Sequence, residues 1–172
     1  EYVPLDLVMF KDANHHVTQQ FRHRRMHLRR LGQVGVKMLP GALSGPHARE
    51  IMEGQSYPVS IMSEADYNRT LRYQHNLKEI KVHARQAVLI SSNQVTLSAK
   101  MKTLSTYRLR LKGYANSLEI KDIRRFYPMG NMMYYSQLMV VADHVYQQLK
   151  APIQFNLVAY SFKRRTIPSQ WL

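Results

Sequence analysis

Thr103-Leu-Ser-Thr-Tyr-Arg-Leu-Arg-Leu-Lys-Gly-Tyr114 is the stretch whose reading decides the fold. Leu104, Tyr107, Leu109 and Leu111 supply an apolar side, and the alternate positions from Thr106 onward hold Thr106, Arg108, Arg110 and Lys112. Successive side chains of a β-strand point to opposite faces, so the pattern predicts a strand with one buried face and a row of three cations on the other. Gly113 lets the backbone turn where the pattern ends. Such a row suits a negatively charged partner, although exposed charge is also what an ordinary solvated face carries.

The charge of the whole chain favours the first reading. Over 172 residues, 25 Lys and Arg stand against 11 Asp and Glu, a formal net charge of +14. No carboxylate lies between Asp12 and Glu50, between Glu79 and Glu119, or after Asp143. Spans without acids build positive potential instead of salt-bridged pairs, which points to a polyanion: RNA, DNA or an anionic membrane. A hydrophobic content of 45% supports one core with extensions. The absence of cysteine excludes disulfides, thiolate metal sites and cysteine nucleophiles. No run approaches the roughly twenty apolar residues of a membrane span. The first residue is Glu1, which a cleaved organellar transit peptide would explain, as would a sequence cut from a longer one.

Outward from the basic strand, the N-terminal side divides into three parts. Glu1 to Phe10 is apolar with Pro4 inside it, and reads as an extended segment or edge strand. His15 to Arg30 is Arg-rich: Arg22, Arg24, Arg25, Arg29 and Arg30 leave too few apolar positions for a buried helical face, and guanidinium groups at that density suit phosphates. His15, His16, His23 and His27 share this stretch, but no Glu accompanies them and five arginines oppose a dication, so neither a metal nor another cofactor is expected. Gly32 to Pro58 is rich in Gly and Pro and reads as a long irregular segment laid over a surface. Its Gly32-Gln-Val-Gly35 and Gly41-Ala-Leu-Ser-Gly45 lack the Gly-Lys-Ser/Thr ending of a phosphate loop.

Ser63 is an N-cap candidate, with Glu64 and Asp66 in the first turn, and the spacing of Tyr67, Leu71, Leu77, Ile80, Ala84, Ala87 and Val88 predicts a helix to about Leu89. Arg69, Arg72, Lys78, Lys81 and Arg85 form its solvated side. Gln94 to Lys102 reads as a short strand or an approach to the basic strand. Leu118 to Gly130 reads as a short helix or irregular segment ended by Pro128 and Gly130. Met129, Met132, Met133, Tyr134 and Tyr135 suit core filling or a protein contact. Ser136 can cap a helix carrying Leu138, Val141, Val145 and Leu149 on one face. Ile153, Phe155, Leu157 and Ala159 then alternate as a strand that delivers Lys163, Arg164 and Arg165 beside Tyr160, Phe162 and Trp171, an aromatic and basic mixture suited to bases and phosphates or to a partner protein.

Arg108-Leu-Arg-Leu-Lys-Gly-Tyr114, with Leu118 four residues on, resembles the opening strand of ribosomal small-subunit protein ten. The resemblance covers about the last third of the chain. It implies that Leu138 to Lys150 is that family's first helix and Ile153 to Ile167 its extended rRNA-reaching segment, with Lys163, Arg164 and Arg165 on it. The chain departs from the family in an insertion, Lys121 to Ser136, and in stopping where the family continues into a second helix and final strand. In composition the chain more broadly resembles mitochondrial ribosomal proteins.

The combined expectation is an α+β fold: a small mixed core of two or three helices and a few strands over residues 63–172, with a long, basic, irregular Gly/Pro-rich extension over 1–62. The expected function is that of a structural rRNA-binding protein of a mitochondrial ribosome in the matrix, touching rRNA and neighbouring ribosomal proteins. Arg22, Arg24, Arg25, Arg29, Arg30, Arg108, Arg110, Lys112, Lys163, Arg164 and Arg165 would be its RNA contacts, with no catalytic residue and no small-molecule substrate. An accessory subunit of another large assembly, such as a respiratory complex or a capsid, is the first alternative. A basic nucleic-acid-processing enzyme is the second, disfavoured because the acids are scattered without two-metal spacing.

Overall fold

In a computed structural model, residues 7–11, 19, 28–51, 57–72, 77–91, 103–124 and 137–162 are described. They form eight strands: β1 (Leu7–Lys11), β2 (Leu28–Ser44), β3 (Tyr57–Ser63), β4 (Gln86–Ile90), β5 (Arg108–Leu111), β6 (Leu118–Arg124), β7 (Gln137–Val141) and β8 (Ile153–Phe162). Beyond the single helical residue 19, the described residues include the short helices α1 (Ala48–Ile51), α2 (Glu64–Arg72) and α3 (Asp143–Gln148), with a 3-10 turn at Leu104–Thr106. The chain is therefore largely β, and this corrects the expected α+β core with its irregular N-terminal extension.

The strands run β1-β8-β2-β3-β7-β4-β6-β5, and β5 pairs back onto β2. Six of them, β2-β3-β7-β4-β6-β5, thus close a ring, with parallel pairing at β3–β7 and β4–β6 and antiparallel pairing elsewhere. The 17-residue β2 makes closure possible. On one edge its residues 37–41 pair with β3; on the other, its first half pairs with β8 and its last four residues with β5.

Gly and Pro within β2 fall where pairing changes, which is why their density misleads. Pro40 sits opposite Pro58, so the missing N–H donors share one rung, and the pairing with β8 shifts register at Arg30/Gly32 and again at Val36/Lys37. At Gly41, where β2 is flanked by both β3 and β5, an added Cβ would stand 2.7 Å from Val59 Cγ2, so a larger residue would force the buried Val59 side chain to shift.

Two cores follow from the alternation of the barrel strands. Val59 and Ile61 of β3, Ala87 and Leu89 of β4 and Met139 and Val141 of β7 join Leu39, Leu109, Leu111, Leu118 and Ile120 inside the barrel. The alternate residues, Met62, Val88, Ile90, Leu138 and Val140, pack outside it beneath Tyr67 and Leu71 of α2 and against Val34, Val36, Phe155 and Leu157 of β2 and β8. Strands buried on both faces read as continuous apolar runs instead of alternating ones. Gln86–Ile90 and Gln137–Val141 are such runs, which corrects the helical readings to Leu89 and over Leu138 to Leu149. Leu118–Arg124, expected as a short helix or irregular segment, is likewise a strand.

Helix α2 begins as its sequence predicts and ends sooner. The Asp66 N–H donates to Ser63 Oγ at 3.1 Å, and the Ala65 N–H donates to Asp143 Oδ1 at 2.9 Å. Residues 77–85 run alongside the helix as an irregular, partly buried segment whose backbone finds partners on helix side chains. Ile80 N–H donates to Asn68 Oδ1 at 2.9 Å, Asn68 Nδ2 donates to the Ile80 carbonyl at 2.8 Å, and Val82 N–H donates to Glu64 Oε2 at 2.7 Å. At the other helix, the Lys37 ammonium donates to the carbonyls of Tyr146 and Leu149 at the end of α3, both at 2.8 Å, and lies 4.5 Å from the centre of the Tyr146 ring. Burial lowers the Lys37 pKa and pushes the Tyr146 hydroxyl up to about 12, where it donates to the Gly35 carbonyl.

Candidate nucleic-acid interface

β5 is held within the barrel wall, paired along its length with β2 and at Arg108 and Leu109 with β6, so its side chains alternate between the inside and the outside. Tyr107, Leu109 and Leu111 are buried, and the turn at Gly113 (φ 79°) ends the strand. Arg110 and Lys112 are exposed, and Arg108 is half-buried. The strand is shorter than Thr103 to Tyr114, its first turn being the 3-10 segment at Leu104–Thr106, but its inside and outside positions are those the alternation predicts.

Arg108 lies across from Glu119 of β6 and forms an ion pair with it at 3.4 Å; both side chains are more than a third exposed, so solvent screens the attraction. Among the described residues no carboxylate pairs with Arg110 or Lys112. The same wall gains exposed cations that the sequence reading places on a solvated helix. Lys121 of β6 donates to the Lys81 carbonyl at 3.2 Å, fixing the segment before β4 against β6, and the Arg85 carbonyl accepts from Glu119 N–H at 2.8 Å. Lys81 and Arg85 thereby lie along β6, on its side away from β5. The acid-free span from Glu79 to Glu119 already contained these residues and was the available signal. Where β2 meets β5, Ser44 Oγ donates to the Arg108 carbonyl at 3.3 Å, and an open hollow of about 410 Å³ lined by Leu43, Ser44, Gly45, His47, Ala48 and Arg49 continues the surface.

Of the other expected contacts, the two that are described, Arg29 and Arg30, do not join this wall. Arg29 and Arg30 are exposed at the far end of β2, paired in register with Ser161 and Tyr160 of β8, and Arg30 Nη2 donates to Gln33 Oε1 at 2.6 Å. From Arg30 to Ala42, which lies opposite Arg110, is about 40 Å of chain at the rise of an extended strand. Arg22, Arg24, Arg25, Lys163, Arg164 and Arg165 lie outside the described residues, as do His15, His16, His23, His27 and the Met and Tyr patch from Met129 to Tyr135. Among the described residues no helix is long and apolar enough to cross a membrane.

No family model matches the chain, and no curated protein matches it. Among solved structures it resembles a candidate lipoprotein from Bacillus anthracis at 10% identity and a TM-score of 0.44, over 92% of this chain and 84% of that one, a likeness that carries no argument about function.

Proposed function

We propose that the chain is a structural RNA-binding protein that neutralises phosphates with the outer wall of its barrel, in the setting its composition suggests, a mitochondrial ribosome. The observation that carries this reading is the β5 wall. Arg110 on the strand and Lys112 just after it stand exposed without an acidic partner among the described residues, and the opposite face of the strand is locked into the core. Cations held on a rigid sheet lose little backbone freedom when they meet phosphates, and each contact releases condensed counterions, which gives binding its steep salt dependence. The barrel interior is filled by apolar side chains, so its outer surface is where a partner of this charge would be met.

The test is the affinity for a structured RNA measured across salt concentrations, for the chain and for Arg108→Gln/Arg110→Gln/Lys112→Gln. Binding with a steep slope of log affinity against log salt is expected, with the slope shallower by about two to three in the variant. No binding at low salt, or an unchanged slope, would refute the proposal.

A further inference from the structure

We infer that the β5 wall takes the sugar-phosphate backbone of double-helical RNA and not unpaired bases. The inference rests on the RNA-binding reading above and adds the form of RNA. Recognition of single strands uses aromatic rings on which bases stack, together with a groove that tracks the backbone. Here the aromatic residues whose side chains are described are turned inward. Tyr67, Tyr107, Phe155 and Tyr160 are buried, while Tyr57, Tyr114 and Tyr146 are half-buried against the barrel core. The ring of Tyr107, directly behind the cation row, is held inside by its hydroxyl donating to the Pro46 carbonyl.

β5 is paired with β2 along its whole length and with β6 at Arg108 and Leu109, so an RNA laid on its outer face would meet long cationic side chains. Alternate positions along a strand lie about 6.6–6.8 Å apart, and Arg110 with Lys112 just past the strand end present exposed cations on the outer face, while the Arg108 guanidinium is turned onto Glu119 and the Ser105 and Tyr107 carbonyls. The outside of a closed barrel curves away from its ligand and cannot wrap a flexible strand. A stiff duplex, with phosphates at fixed intervals on its surface, can lie across such a face without being ordered first. Such contacts position the RNA without reading its sequence.

The experiment compares three probes by fluorescence anisotropy at several salt concentrations: two RNA duplexes of unrelated sequence, each of about 20 base pairs, and an oligouridine of equal length. The whole chain and Arg110→Gln/Lys112→Gln are used, with the fold of the variant checked by circular dichroism. Both duplexes are expected to bind alike and about tenfold or more tighter than oligouridine, and the variant should lower the duplex salt slope by about two. Oligouridine binding as tightly as the duplexes, or a marked preference between the two duplex sequences, would overturn the inference while leaving RNA binding intact. An unchanged duplex slope in a folded variant would remove the wall from the contact. Absence of binding to all three probes at low salt would overturn the RNA-binding reading itself.

Discussion

Around α2 the arginines have partners within the molecule. Arg69 lies 3.1 Å from Asp66 and donates to the Gln33 carbonyl at 2.9 Å, Arg72 pairs with Glu79 at 2.7 Å, and Arg30 donates to Gln33. On the β5 wall Arg110 and Lys112 make no such ion pair among the described residues, and the single acid facing the row, Glu119, is taken up by Arg108. The two regions have similar side chains and similar exposure. They differ in whether a phosphate would have to displace an existing partner. A formal charge of +14 does not by itself locate a binding surface; the distribution of carboxylates around the cations does.

If that distinction is sound, substitutions near α2 should register in stability and substitutions on the wall in affinity. The largest expected effect is on the α2 side. Asn68→Ala would leave the buried N–H and carbonyl of Ile80 without partners and should lower unfolding stability by roughly 2–4 kcal/mol, measured by urea denaturation, with RNA affinity per folded molecule unchanged. Arg110→Gln/Lys112→Gln should leave stability within about 0.5 kcal/mol of the parent and weaken RNA binding about tenfold at moderate salt. A loss of stability with no loss of affinity in that variant would break the comparison. Arg69→Gln should cost about 1 kcal/mol or less, because its ion pair is partly exposed, and should not change the salt slope.

Two smaller effects would sharpen the comparison. Glu119→Gln should increase RNA affinity about threefold at low salt, as expected for removing one negative charge some 6 Å from a phosphate site in a watery medium, with the gain fading as salt rises. Asp66 is held above its ordinary carboxyl value of 3.8 by burial, against the opposing pull of Arg69 and the Gly35 N–H. Between that ordinary value and the raised one, the folded chain binds more protons than the unfolded chain, so this group's contribution to stability increases as pH falls and is lost as pH rises. Urea titrations from about pH 6 to about pH 4 should therefore show the parent gaining stability relative to Asp66→Asn on acidification. The opposite trend would mean that Arg69 dominates the Asp66 environment.

The basic strand was legible because β5 has one buried face and one exposed face, the condition under which alternation shows in a sequence. β8 was legible for part of its length for the same reason, and Ser63 because a helix cap is a local event. The closed barrel was not legible. β3, β4 and β7 are buried on both sides and lose their period, so Ala87 and Val88 fit a helix as well as a strand until tertiary pairing decides. β2 was hidden by glycines and prolines that serve bulges, a shared rung and a three-strand approach, features that exist only once the partners are present. The wall shows the same limit: Arg108, Arg110 and Lys112 could be aligned from their own spacing, whereas Lys121, Arg85 and Lys81 meet one another only through the fold.

The ring closure through β2 also sets the order in which the molecule can be completed. Strand β2 pairs with β8 across more than a hundred residues of intervening chain, and with β5 across more than sixty. A topology dominated by such distant pairings has high contact order and folds slowly, because chain entropy must be lost before the pairings repay it. During synthesis the first half of β2 has no antiparallel partner on that edge until β8 has been made, near the C-terminal end of this sequence. A nascent form would thus carry an unpaired basic strand edge until β8 emerges, and a chaperone or an early-bound polyanion that shields that edge would raise the yield of folded protein.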